Sequence, residues 1–165
     1  MYSASAPVFI HSLKVLDALL TKTEAHAAAK KVDPAVFAGL RLFPDMLPLN
    51  VQVFIACAFA RNSMLNLSGQ TPPQGETPPA GFADMHAVIA QRIQFLESVT
   101  PAMIDGTEGK EVSFKVAGNP KTLKGETYLK HWVIPNFFFH VTTAYDILRH
   151  NGVEIGKADF LVTVE

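Results

Sequence analysis

Residues 128–152 read YLKHWVIPNFFFHVTTAYDILRHNG, the longest apolar run in the chain. Leu129, Val133, Asn136, His140, Ala144 and Ile147 recur at spacings of three and four, the period that places side chains on one helix face. His150-Asn151-Gly152 is a stop signal, a basic residue in the last turn followed by glycine. Pro135 interrupts the run. It has no N–H for the carbonyl four residues back, at His131, and predicts a kink there. An amide and an imidazole, Asn136 and His140, stand one turn apart on the apolar stripe, and polar groups taken into a core need hydrogen-bond partners.

Three further helices follow from the same period. Ser5 to Pro7 open the first, and Phe9, Leu13, Leu16 and Leu20 carry its stripe. Residues 48–67 form the second, with Leu49, Gln52, Ile55, Ala56 and Phe59 on one side. Val53, Phe54 and Cys57 fall on other sides, so this helix is either central or at a subunit interface. Residues 82–99 form the third, with Phe82, Met85, Ile89, Ile93 and Leu96 inward. Between the second and third lies SGQTPPQGETPPAG, residues 68–81, a proline- and glycine-rich crossover loop. Between the third and fourth, Val112, Phe114 and Val116 alternate with polar residues, and Ala117-Gly118-Asn119-Pro120 turns the chain into a second short strand, residues 121–124. The pattern is a mainly all-α four-helix bundle with a small β-hairpin between its third and fourth helices, in one domain spanning residues 1–165. The tail from Val153 reads as irregular.

Composition excludes several roles. Hydrophobic content is 48%, enough for a real core, and the net charge of −1 offers no basic surface for nucleic acid or anionic lipid. No stretch of about 18 uninterrupted apolar residues suggests a membrane span, and the N-terminus lacks the basic region of a signal peptide. The lone cysteine, Cys57, fits a reducing compartment, so the chain is expected in the cytoplasm. No nucleophile elbow and no phosphate-cradling glycine loop is present.

The segments RLFPDMLPL (residues 41–49), PNFFFHVTTAY (135–145), LRHNG (148–152) and GKADF (156–160) closely resemble an uncharacterised bacterial domain-of-unknown-function family in the DinB/YfiT-like superfamily. The resemblance covers essentially the whole chain. It implies a four-helix bundle, frequently dimeric, and in many members a divalent metal on three histidines: one on the second helix and two four residues apart on the last. Members with known roles include metal-dependent thiol transferases and thiol-dependent isomerases. This chain departs from that pattern. The matching positions hold Gln52, Asn136 and His140, with Ala144 four residues beyond the histidine, and two amides with one imidazole make a poor zinc or nickel site. No metal ligand is therefore assigned, and no cofactor; a divalent metal such as zinc or nickel is the alternative.

Two readings of the site follow. In one, Gln52, Asn136, Arg41, Asp45 and Tyr145 line a pocket for a small molecule in a metal-poor homodimer. In the other, His140 is catalytic at the bundle mouth, as general base or metal ligand in a transferase or isomerase. Beside both stands a plain polar cluster around the Pro135 kink. Arg41 and Asp45 bracket the pocket lip or pair with each other. Phe138, Tyr145, Arg149 and His131 lie off the inward stripe and are expected at a dimer face.

Overall fold

The computed structural model describes residues 1–116 and 118–161. After a 3-10 turn at Tyr2–Ala4 come α1 (Ala6–Lys30), α2 (Ala35–Ala38), α3 (Leu49–Ser68), α4 (Phe82–Glu97) and α5 (Pro101–Ile104). The hairpin strands β1 (Glu111–Val116) and β2 (Asn119–Lys124) follow, then α6 (Gly125–Thr127), a π turn (Tyr128–Val133), α7 (Ile134–His150) and α8 (Lys157–Leu161). The long helices close a ring: α1 packs on α4, α4 on α3, α3 on α7, and α7 on α1. This is the expected mainly helical bundle with a small antiparallel hairpin between the third and fourth long helices.

Most striped positions face inward, but Ile55 and Phe59 of α3 and Ile93 of α4 are half-buried, and on α7 the buried side is carried by Phe137, Val141, Ala144, Ile147 and Leu148 while the expected Asn136 and His140 are half-buried. Phe9, Leu13, Leu16 and Leu20 from α1 meet Leu49, Val53 and Ala56 from α3 and Met85 and Ile89 from α4 in one buried cluster. Phe137 on α7 reaches the middle of it, its ring 4.7 Å from that of Phe9. Val53 and Cys57 are buried as well as Gln52 and Ala56, which fits a helix flanked by α4 on one side and α7 on the other. The segment Tyr2–Lys30 is long and apolar enough to cross a membrane by length and composition alone, but half of its apolar window is buried in the bundle.

The last helix changes its geometry ahead of Pro135. The turn before it, Tyr128–Val133, widens to π geometry, and α7 restarts at Ile134 with the proline in its first turn, where a missing N–H is no loss. Asn136 Nδ2 donates to the Trp132 carbonyl over 2.6 Å, next to the π turn. β1 pairs with β2 in register, Val112 opposite Leu123 and Phe114 opposite Lys121. Residue 117, in the expected hairpin turn, lies outside the described residues.

The tail corrects an expectation. It forms a short helix, α8, rather than an irregular stretch. Lys22 pairs with Asp159, and Phe160 sets its ring edge-on to Tyr145 at 5.5 Å, which ties α8 to α1 and α7. Residues 162–165 lie outside the described residues.

Candidate functional site

Gln52 and His140 converge. His140 Nδ1 lies 2.7 Å from Gln52 Oε1, across the α3–α7 seam. Gln52 Nε2 donates to the Leu47 carbonyl over 3.0 Å, so its oxygen is the end that faces the ring. Nδ1 therefore carries the proton and donates it, and Nε2 keeps the lone pair. Burial pushes the imidazole pKa down from 6.5 to about 4, so at neutral pH the ring is uncharged.

The other expected residues are placed elsewhere. Asn136 is turned back to the Trp132 carbonyl. Arg41 donates to the Met46 carbonyl within its own loop rather than to Asp45, and both residues are exposed. Tyr145 packs on Phe160. The loop after α2 does approach the pair, but through the backbone of Leu47, not through a charged side chain.

A cleft lies farther along α3. It has a volume of about 630 Å³ and is lined by Ile55, Ala58, Phe59, Asn62 and Asn66 of α3, by Thr71, Pro72 and Gln74 of the crossover loop, by Ser113, Phe114 and Lys115 of β1, and by Tyr128 and Trp132 of the π turn. Four aromatic rings make its apolar wall. Phe114 stands 4.9 Å from Tyr128 and 5.5 Å from Trp132, and Trp132 stands 6.4 Å from Phe59. The π turn brings Tyr128 and Trp132 to the cleft together, and the hairpin supplies Phe114. Asn66 Nδ2 donates to the Tyr128 hydroxyl at 2.8 Å and orients that ring. Phe59 also connects the cleft to the first pair: its ring lies 5.9 Å from His140, with planes 23° apart.

Of these cleft residues the sequence reading singled out Ile55, Phe59 and Phe114, and those as packing positions. A signal existed for Tyr128 and Trp132, two aromatics four apart immediately before a helix-interrupting proline.

The donor set does not fit the three-histidine metal site that the resemblance implies. Gln52 Oε1 is engaged by His140 and Ala144 offers nothing, which leaves one imidazole nitrogen and the amide oxygen of Asn136, whose Nδ2 is turned to a carbonyl. Among the described residues no three His, Cys, Asp or Glu side chains gather in a group able to hold a metal ion.

Comparison with known proteins is consistent with this architecture. The model of a domain of unknown function, DUF1993, matches residues 1–161. The chain belongs to that family. It is also similar to a solved structure described as a DinB family member protein from Shewanella denitrificans, at 36% identity and a TM-score of 0.91, over 99% of this chain and 92% of that one. No curated protein matches. This DUF1993 member is thus a DinB-like bundle whose candidate site comprises an amide–imidazole pair and an aromatic cleft.

Proposed function

We propose that this protein binds a small aromatic or apolar molecule, carrying a hydrogen-bonding head, in the cleft between α3, the hairpin and the π turn. The observation that supports it is the cleft's lining: the four rings of Phe59, Phe114, Tyr128 and Trp132, with the polar residues Asn62, Asn66 and Gln74 among the other lining residues. A mostly apolar concavity with a few placed polar groups is the general form of a small-molecule site, and this volume lies within the usual range of roughly 300–1,000 Å³.

Trp132 is the chain's one tryptophan, so its indole N–H gives a single reporter. Titration with 2-phenylethanol is expected to shift that resonance saturably, and Phe59→Ala to weaken the effect at least tenfold. An indole resonance that does not move at millimolar 2-phenylethanol defeats this reading.

A catalytic role for His140 is the second reading, supported by its lone pair at Nε2 and its fixed tautomer. The depressed pKa argues against general-base work. A base is most effective when its pKa lies near the working pH, and an imidazole of about 4 accepts protons poorly at pH 7. We therefore assign His140 the role of a neutral hydrogen-bond acceptor at the end of the aromatic row. A thiol-transferase or isomerase activity that disappears in His140→Gln, with the fold intact, would reverse this ranking.

We also take the protein to be a homodimer in the cytoplasm. Phe43 and Phe139, 63% and 56% exposed, support the first. Phe138 and Tyr145, expected at a dimer face, pack their rings on Phe137 and Phe160 within the fold. The buried free Cys57 supports the second. Sedimentation equilibrium of wild type and Phe139→Glu tests the dimer: a monomeric wild type rejects it.

A further inference from the structure

Arg61 on α3 and Arg92 on α4 are only 6% and 8% exposed. Buried guanidinium groups need paired charge and satisfied donors. Among the described residues one carboxylate meets them, that of Glu76 in the crossover loop. Arg61 grips it with both forks, Nη1 to Oε1 at 2.6 Å and Nη2 to Oε2 at 2.7 Å, while Arg92 Nη2 reaches Oε1 at 2.9 Å. Arg61 Nε donates to Asn62 Oδ1 at 3.0 Å. Arg92 Nε is buried and finds no acceptor among the described residues.

The match between host and occupant is incomplete in two respects. Two guanidinium groups face one carboxylate, which leaves a surplus positive charge. Cys57, one turn before Arg61, does not offset it, because burial pushes its thiol up to about 12 despite the two nearby arginines and keeps it neutral. A carboxylate also has just two oxygens. Oε1 is already shared between both arginines, and none is left for Arg92 Nε. The occupant is the most exposed of the three, its side chain at 33%. It comes from residues 69–81, a loop without helix or strand, directly after Gly75, whose backbone is left-handed at φ 79°.

We propose that the Arg61–Arg92 pair is a binding site for a phosphoryl dianion, in which the Glu76 carboxylate is the internal occupant. A phosphate monoester carries close to two negative charges at neutral pH and three terminal oxygens. It balances both arginines and supplies the third acceptor that Arg92 Nε lacks. Planar guanidinium forks take phosphate in the same two-point geometry they use for carboxylate. Entry requires Glu76 to swing outward, to the side where it already meets solvent. Thr71, Pro72 and Gln74 of the same loop line the aromatic cleft, so seating phosphate also moves a cleft wall. The site does not depend on the cleft holding a ligand, and its readouts are separate.

An internal competitor on a short tether acts at millimolar effective concentration or above. Wild type should therefore bind phosphate weakly, and loss of the competing charge should tighten it. Wild type and Glu76→Gln are titrated with inorganic phosphate at constant ionic strength, followed by thermal midpoint and ³¹P line width. The expected result is a saturable response in Glu76→Gln with an apparent Kd at least tenfold below that of wild type, lost again when Arg92→Gln is added. Acetate should give a smaller response in both proteins. Methyl phosphate separates two sources of the group: tighter binding than inorganic phosphate assigns an ester, and weaker binding assigns the free ion. A folded Glu76→Gln that responds to phosphate no more than to chloride, or equally to acetate, overturns the proposal. If the variant folds only in phosphate, that rescue supports it; failure to fold in phosphate and chloride alike overturns it.

Discussion

Gln52 Oε1 accepts the Nδ1 proton of His140 across the α3–α7 seam at 2.7 Å, and the same glutamine's Nε2 holds the Leu47 carbonyl at 3.0 Å. One buried amide thus joins two helices and the loop that enters α3, and it decides which ring nitrogen is protonated. Replacing it should cost more than its own packing. Gln52→Leu leaves a carbonyl and a ring N–H without their partner, at about 1–3 kcal/mol for each such group, so a loss of roughly 2–6 kcal/mol is expected in urea unfolding. The cost should shrink by about 1–2 kcal/mol when His140→Leu is already present, as for two groups in one network. Full additivity of the two substitutions would show that the pair is not coupled.

The pH response of His140 has a definite sign. Its folded pKa, about 4, lies below the ordinary 6.5 because burial disfavours the charged ring. The unfolded chain therefore binds the proton first as pH falls. Stability from this group is full above about 6.5 and is lost between 6.5 and 4, by an amount on the order of 2 kcal/mol once discounted for solvent screening of the partly exposed ring. Nitrogen chemical shifts at pH 7 should show a neutral ring with its proton on Nδ1, and His140→Gln should flatten the acid limb of the stability profile. A ring that titrates near 6.5 would remove the basis for a neutral acceptor.

His86 has the opposite sign. Its Nδ1 lies 2.6 Å from Asp17 and its Nε2 3.1 Å from Glu24, so the imidazole clamps α4 to α1. Burial works to lower its pKa, but the hydrogen bonds and charges of the two carboxylates together outweigh that and hold it above 6.5. The clamp's contribution is full below about 6.5 and disappears as pH rises through the folded value. His86→Gln should therefore remove a decline in stability on the alkaline side of 6.5 while leaving the acid limb to His140. An unchanged alkaline limb would mean the partly exposed carboxylates contribute nothing measurable.

These relationships were legible in the sequence to different degrees, for physical reasons. The bundle followed from period, since the stripes on residues 5–20, 48–67, 82–99 and 128–150 are the surfaces the fold must bury. Gln52 and His140 stood out as polar residues on two such stripes, and burial brings them together. Asn136 stood out equally, yet a carbonyl four residues back lies closer than any cross-helix partner, and local geometry prevailed. The cleft was not legible, because its walls come from four segments whose approach depends on the π turn and the hairpin. The charge cluster did leave a trace: Arg61 is the one charged residue in residues 49–68, and Glu76 the one in residues 69–81. A lone charge in an apolar helix needs a partner, and an otherwise uncharged loop contains one.

Gly125 sets the junction on which the cleft depends. It stands between β2 and the π turn, buried, with its N–H on the Lys110 carbonyl at 2.8 Å. A Cβ there would fall 2.1 Å from the Thr107 carbonyl oxygen and 3.3 Å from Leu67 Cδ2. The first neighbour is backbone and cannot rotate away, so the strand-to-helix corner would have to open. Gly125→Ala is expected to destabilise the protein by about 1–3 kcal/mol, as overpacking does. Because the corner holds the hairpin against the π turn, the substitution should also move Phe114 away from Tyr128 and Trp132. The check is urea unfolding together with the Trp132 emission maximum, which should shift to the red as the ring gains water. A variant with wild-type stability and unchanged Trp132 emission would show that this contact relaxes without consequence for the cleft.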